Sequence, residues 1–329
     1  MRPRFLVTTP IPLPGLALLE EAGTVTVPAR SPSYTQLREL CASGDFDVVL
    51  TQLRDTLDAA LLGEARIKGV SNYAVGCDNI DVEAAASHGI RVGNTPGVLT
   101  DATADLAMAL ILGTARRVPE GDAMVREGRF SGWEPELLLG CDVSGAVLGL
   151  AGFGRIARAV ARRALAFGMT VLFAPRPPAD RAVGQEELGE FAGRVTQVPW
   201  DELIRGSDYL YLHVPLTSQT HHLVDAHVLE CMRSGAILIN TARGPIVDET
   251  ALVQALREGV IAGAGLDVFE DEPRLAPGLA ELPNTVLLPH IGSATVSVRA
   301  EMARLSALNA MAMAEGRVPP HMVAPESAR

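Results

Sequence analysis

One short run constrains this chain more than any other: Gly149-Leu-Ala-Gly152-Phe153-Gly154-Arg155-Ile156-Ala157. An apolar stretch, Val147–Ala151, leads into it, and a helical stretch, Arg155–Ala166, leaves it and stops at Gly168. A glycine turn between a buried strand and a helix suits the pyrophosphate of a dinucleotide. Gly152 permits the tight turn, and Gly154 lets the backbone approach an anion held on the helix N-terminus. The third position needs only a small side chain, which Ala157 provides. Taken alone such a run is a weak signal, because ordinary turns carry it. Framed by strand and helix it predicts a dinucleotide-binding βαβ unit.

The next strand, Thr170–Phe173, should deliver the residue that reads the ribose, about 20 residues further on. A carboxylate there would accept from the 2′-hydroxyl of NAD. The chain instead reads Phe173-Ala-Pro175-Arg176-Pro-Pro178, and its first carboxylate is Asp180. An arginine at the strand tip suits a 2′-phosphate, which a carboxylate would repel. The expectation is NADP(H) in preference to NAD(H). The competing reading makes Arg176 a solvated residue of a Pro/Arg loop.

Similar strand–helix alternation runs through most of the 329 residues, enough for two ordinary domains. Phe5–Thr8, Val25–Val27, Asp47–Leu50, Ile67–Ser71 and Ile90–Val92 read as strands with helical pieces between them. Thr100–Arg117 reads as one buried Ala/Leu helix, preceded by a hinge candidate at Pro96-Gly97. A second series of strands follows at Val147–Ala151, Thr170–Phe173, Arg194–Thr196, Tyr209–Leu212, Ala236–Ile239, Gly263–Asp267 and Val286–Leu288. Thr295–Glu315 reads as a long closing helix. This rhythm predicts an α/β protein with parallel sheets. A composition of 48% hydrophobic and only 4% aromatic residues fits small-residue packing of helices on sheet.

Net charge is −11, which argues against a general nucleic-acid or membrane-surface role. Cys41, Cys77, Cys141 and Cys231 are scattered without paired spacing, so neither a disulfide framework nor a zinc site is expected. The adjacent pair His221-His222 reads as surface loop, and no metal is expected. The N-terminus lacks signal-peptide architecture and no apolar run reaches a membrane span. A cytoplasmic address is the expectation.

Three segments, each following a strand, hold groups suited to reducing a keto acid. That chemistry needs a cation to hold the carboxylate and polarise the carbonyl, a proton donor, and a group that keeps the donor protonated. Asn240-Thr241-Ala242-Arg243-Gly244 offers a guanidinium for a two-point grip. Asp267-Val-Phe-Glu270-Asp271-Glu272-Pro273 offers acids. Pro289-His290-Ile-Gly292 offers an imidazole placed before a glycine turn. Each alone has a plain reading as a cap, a solvated charge or a core histidine.

Together they resemble the D-2-hydroxyacid dehydrogenase family, and within it the glyoxylate/hydroxypyruvate reductases. Further segments carry the resemblance: Ser71-Asn-Tyr-Ala-Val-Gly76-Cys-Asp-Asn-Ile-Asp81 and Asn94-Thr-Pro-Gly-Val-Leu-Thr-Asp-Ala-Thr-Ala-Asp105. The resemblance implies that Arg243 binds substrate and that His290 donates the proton, paired to Glu272. Backbone N–H groups at Val75 and Gly76 would hold the substrate carboxylate. Thr103, Gly152, Phe153, Gly154, Arg155, Ile156, Arg176, His213, Val214, Pro215, Thr241, Ala242, Arg243, Asp267, His290 and Gly292 would bind the cofactor, with Asp267 orienting the nicotinamide amide. It implies two Rossmann-like doubly wound parallel-sheet domains. A flavodoxin-like substrate domain would span 1–98 plus 291–329, and a dinucleotide-binding domain 99–290. It also implies a homodimer.

Cys77 stands where many relatives carry an aromatic residue, and Leu137 where some carry one, so pocket shape and fine specificity stay open. Other 2-oxo acids, such as 2-ketogluconate or pyruvate, remain alternatives. Phosphite oxidation would want a cation near Val75, where none stands. A dinucleotide-sensing, corepressor-like binding protein is the rival from another class, and turnover separates it from a reductase.

Overall fold

The computed structural model describes residues 2–177 and 181–325; Pro178 and Asp180, singled out above, lie outside the described residues. The chain divides into two compact units, residues 1–99 with 293–329 and residues 100–292.

The first unit alternates β1 (Arg4–Val7), α1 (Leu13–Ala22), β2 (Thr24–Thr26), α2 (Tyr34–Ala42), β3 (Val48–Thr51), α3 (Ala59–Glu64), β4 (Gly69–Asn72), α4 (Val82–Ser87) and β5 (Arg91–Gly93). All pairings are parallel, in the order β2-β1-β3-β4-β5. Both faces are covered, as a parallel sheet requires. Strand alternation does the sorting: Phe5, Val7, Val48 and Leu50 face one core, and Leu6 and Val49 face the other. Short polar side chains start the helices. Ser33 and Gln36 form a capping box on α2, and Asp58 and Asp81 accept from Leu61 and Ala84 amides.

The second unit opens with α5 (Thr100–Ala115) and α6 (Val118–Arg126). It continues through β6 (Val147–Ala151), α7 (Arg155–Ala166), β7 (Thr170–Ala174), α8 (Gln185–Leu188), β8 (Val195–Gln197), α9 (Trp200–Gly206) and β9 (Tyr209–Leu212). Then come α10 (Ala226–Cys231), β10 (Ile237–Asn240), α11 (Glu249–Glu258), β11 (Gly263–Leu266) and β12 (Thr285–Leu287). The seven strands are parallel in the order β12-β11-β10-β9-β6-β7-β8. Strand order reverses at β6, which pairs with both β7 and β9, so the loops after β6 and β9 face the switch point where such sheets bind ligands.

The chain then returns to the first unit as α12 (Val296–Ala314), capped by Thr295. Met302, Ala303, Ala307, Ala310 and Met313 of α12 join Phe5, Val7 and Leu19 in one core. Two parallel-sheet α/β units are therefore present, as the alternation predicts. Most strand bounds shift by a residue or two, and one helix changes. The helix expected over 100–117 stops at Ala115, and α6 follows it, with Arg117 left-handed at φ +52° between them. Pro119 has no N–H to give the Ala115 carbonyl, so a continuous helix is broken there. The strand expected at 236–239 runs one residue later, over Ile237–Asn240. No helix among the described residues is long and apolar enough to cross a membrane.

The α1–α12 contact depends on a missing side chain. A Cβ at Gly15 would stand 2.4 Å from the Ala303 carbonyl oxygen, so α12 would have to move. Overpacking of this kind costs about 1–3 kcal/mol. Gly15→Ala should therefore lower the thermal unfolding midpoint by several degrees, measured by circular dichroism; an unchanged midpoint refutes the close-packing account.

Candidate active site

The glycine turn after β6 is shaped by close packing on one side and open space on the other. Gly152 is left-handed at φ +98°, and a Cβ there would lie 2.4 Å from the His213 carbonyl oxygen. At Gly154 a Cβ would meet nothing within 4 Å. Gly154 caps α7 with no side-chain hydrogen bond, and no acid lies in the first turn. The leading N–H groups of α7 thus face open space with no carboxylate beside them, which fits a pyrophosphate. Ala157 is buried against the sheet core. The Phe153 side chain points into that core, stacked on Phe173 at 4.1 Å, so its backbone is the part available to a ligand. Arg155 and Arg176 are exposed, Arg176 just beyond the end of β7.

The loop after β9 brings His213, Val214 and Pro215 to the same edge. Tyr211, fully buried, shares a hydrogen bond of 2.7 Å with the Thr241 hydroxyl and lies 3.2 Å from His213 Nδ1. Burial, then the Arg243 charge, pushes the His213 ring down to about 4, so it is neutral at physiological pH. A neutral ring here adds shape without charge.

Asn240, at the end of β10, builds the next turn. Its side chain accepts from the Ala242 amide at 2.9 Å and donates to the Arg243 carbonyl at 2.8 Å. Both bonds fix the backbone on either side of Arg243, whose guanidinium donates to the Ala242 carbonyl at 2.7 Å. Gly244 lets this turn lie against the loop after β11. A Cβ there would fall 1.9 Å from the Phe269 carbonyl carbon and 2.3 Å from the Glu270 amide nitrogen.

That neighbouring loop carries Glu272, whose Oε1 accepts from the Phe269 amide at 3.1 Å. Its Oε2 lies 3.0 Å from His290 Nδ1. Burial pushes the Glu272 carboxyl up, but the His290 hydrogen bond and charge, the Phe269 amide and the Arg243 charge outweigh it. The net pKa sits below the ordinary glutamate value, and the group is ionised at neutral pH. His290 is left-handed at φ +56°, a conformation that a non-glycine residue adopts only under external constraint. The constraint comes from Asp267, at the end of β11. Its two oxygens accept from the Ile291 and Gly292 amides, at 2.7 Å each. Burial raises the Asp267 pKa against those bonds. Thr103 of α5, buried, donates to the Gly292 carbonyl at 3.2 Å. With Nδ1 facing Glu272, Nε2 is the ring nitrogen left to face a ligand.

In the first unit, Val75 and Gly76 are half-buried in the loop after β4. Asn94 donates to the Val75 carbonyl at 2.7 Å and Asn72 to the Gly76 carbonyl at 2.8 Å. Both carbonyls are held by side chains, which fixes the orientation of the peptide units.

The structure therefore brings Glu272 and His290 into contact and sets the Arg243 charge near enough to lower the Glu272 pKa. Asp267, Thr103 and Gly292 fall in one hydrogen-bonded turn. Asn240, Asn72 and Asn94 carry no role in the sequence analysis; an asparagine at or just past the end of a buried strand is the available signal. His222, expected on the surface, is half-buried and bonds Glu270 at 2.6 Å, because its amide is tucked under the Pro245 carbonyl.

A doubly wound sheet with an anion-ready glycine turn at its switch point, and an acid–imidazole pair on the same edge, defines a nicotinamide-dinucleotide enzyme. Residues 108–292 match the NAD-binding domain of D-isomer specific 2-hydroxyacid dehydrogenases. The chain is 45% identical to a glyoxylate reductase of Thermococcus litoralis, over 98% of this chain and 97% of that one. A solved NADPH-dependent glyoxylate/hydroxypyruvate reductase from Sinorhizobium meliloti, in complex with NADP and malonate, superposes with a TM-score of 0.85 at 36% identity, covering 98% and 97% of the two chains. The chain belongs to the D-isomer specific 2-hydroxyacid dehydrogenase family.

Because Gly244 lies against backbone, Gly244→Ala must displace the Arg243 turn. A misplacement of about 1 Å at a catalytic group can cost ~10²-fold. We expect kcat/KM for 2-oxo acid reduction to fall by that order while the protein stays folded by circular dichroism. A variant with wild-type kcat/KM rules out the close approach.

Proposed function

We propose that this enzyme reduces glyoxylate, or the related hydroxypyruvate, to the D-2-hydroxy acid with NADPH. The Glu272–His290 contact beside the Arg243 turn is the observation that carries the reading. The names of the Thermococcus and Sinorhizobium relatives support the substrate class.

In this reading Arg243 grips the substrate carboxylate and polarises the carbonyl. A bound nicotinamide supplies the hydride. His290 Nε2 gives its proton to the carbonyl oxygen, and ionised Glu272 stabilises the protonated ring beforehand. Asp267, committed to the Ile291 and Gly292 amides, holds the turn that presents His290 and borders the nicotinamide. Gly152, Gly154, Arg155, Ile156 and the Phe153 backbone cradle the pyrophosphate. Thr103, His213, Val214, Pro215, Thr241, Ala242 and Gly292 line the remainder. Residues 100–292 act as the dinucleotide-binding domain, and the other unit holds substrate.

NADPH is favoured over NADH because Arg176 is exposed at the tip of β7 and no carboxylate stands between Ala174 and Ala179. The active form is a cytoplasmic homodimer. Val118, Val125, Phe130, Trp133 and Leu139 are exposed apolar residues on and after α6, a concentration that suits burial against a second copy. The presence of Arg243, Glu272 and His290 together weighs against a sensor that only binds dinucleotide.

Steady-state assays with glyoxylate, hydroxypyruvate, pyruvate and 2-ketogluconate, each with NADPH and NADH, test the assignment. We expect the highest kcat/KM for glyoxylate or hydroxypyruvate with NADPH. Cofactor binding without turnover of any of these acids would favour the sensor, and a clear NADH preference would remove the role given to Arg176. His290→Gln should lower kcat by ~10²-fold or more; near-normal kcat removes His290 as the acid.

The pH dependence follows from the coupled pair. Burial opposes ionisation of Glu272, but its bond to His290 holds the carboxyl below the ordinary glutamate value. kcat/KM should therefore hold as pH drops to that lowered value and fall below it, as the carboxylate is protonated. Glu272→Gln should abolish this acid limb. An acid limb that stays in place separates Glu272 from proton delivery.

A further inference from the structure

Outside the groups given a role above, one cluster among the described residues of the second unit combines metal-ligating side chains: His221, His222 and Glu270. One donor atom from each lies within 4.8 Å of the others. The two imidazole rings are 4.1 Å apart between centroids and inclined by 30°. His222 Nε2 already meets Glu270 Oε1 at 2.6 Å.

The cluster is anchored on every side by backbone. The His221 amide donates to the Thr217 carbonyl at 2.9 Å, and the His222 amide to the Pro245 carbonyl at 2.8 Å. Glu270 and Glu249 exchange reciprocal bonds, the Glu270 amide donating to Glu249 Oε1 at 2.8 Å and the Glu249 amide to Glu270 Oε2 at 3.3 Å. His222 is held left-handed at φ +50°, which places two consecutive imidazoles on one side of the chain instead of on opposite sides. His222 and Glu270 are half-buried and His221 is exposed, so open coordination positions face solvent.

We propose that His221, His222 and Glu270 form a binding site for a divalent transition metal of the zinc type. Two imidazole nitrogens and one carboxylate oxygen are borderline donors that suit Zn²⁺, whereas Mg²⁺ and Ca²⁺ want oxygen ligands. Zinc bonds of about 2.0–2.2 Å place tetrahedral donors roughly 3.3 Å apart, so the 2.6 Å contact opens by less than about 1 Å to admit the ion. The proton between His222 and Glu270 leaves to solvent, and water completes the coordination. A bound ion ties the 217–222 turn to the loop that carries Glu272 two residues further on. The proposal is independent of the reductase reading, since none of its ligands touches substrate or cofactor there. In the plain alternative His222–Glu270 is an isolated hydrogen-bonded pair and His221 a solvated side chain.

The test uses the full-length, untagged protein stripped with chelator and titrated with ZnCl₂ by calorimetry. We expect one zinc per chain and a higher thermal midpoint with zinc than with MgCl₂. His221→Asn should lose zinc affinity by ~10-fold or more, since one of three protein ligands is removed, while metal-free reductase activity and the metal-free midpoint stay unchanged. Cobalt(II)-loaded protein should show ligand-field bands without a thiolate charge-transfer band. Absence of zinc binding, or binding undiminished in His221→Asn, overturns the site. So does a thiolate band, which would move the metal to Cys231 and His227, whose side chains lie 3.8 Å apart.

Discussion

Asp267 makes the arrangement possible by a cost and its compensation. A carboxylate at the end of a buried strand loses its water, and burial alone would drive it towards the neutral acid. Two backbone amides, from Ile291 and Gly292, replace that water at 2.7 Å each. These bonds stabilise Asp267 and fix the next loop in the same stroke. His290 is thereby held in a left-handed conformation it would not choose, with Nδ1 on Glu272. The strain at His290 is small beside the penalty of leaving a buried carboxylate unpaired.

The parallel sheet supplies the rest of the geometry. Every strand of the second unit points the same way, so the loops after β6, β9, β10, β11 and β12 all emerge at one edge. A dinucleotide turn, a guanidinium turn, an acid loop and a histidine turn therefore gather there without long connections. Small residues set the spacing between them. Gly152 lies under His213, and Gly244 lies under Phe269, each at a distance no side chain would allow. The same economy joins α1 to α12 through Gly15.

Much of this was legible in the chain because it is written in short-range patterns. The glycine turn, the strand alternation and the capping residues Ser33, Asp58, Asp81 and Thr295 each act within a few positions. Arg243, Glu272 and His290 stood out as types placed after strands. The break between α5 and α6 was missed because the helical periodicity ran on to Arg117, and Pro119 acts on a carbonyl one turn before it. His222 carries no local signal of its burial, because its partner, Glu270, lies 48 residues away.

The sequence by itself determined the α/β class, the parallel order of units and the residue types available for chemistry, since these follow from local periodicity and turn geometry. Only the tertiary structure decided which of those residues touch. Asp267 with the 291–292 amides, Glu272 with His290, and His222 with Glu270 are pairings between loops from different strands. Sheet order and close backbone approach set their distances, and neither quantity is encoded in any one stretch of chain.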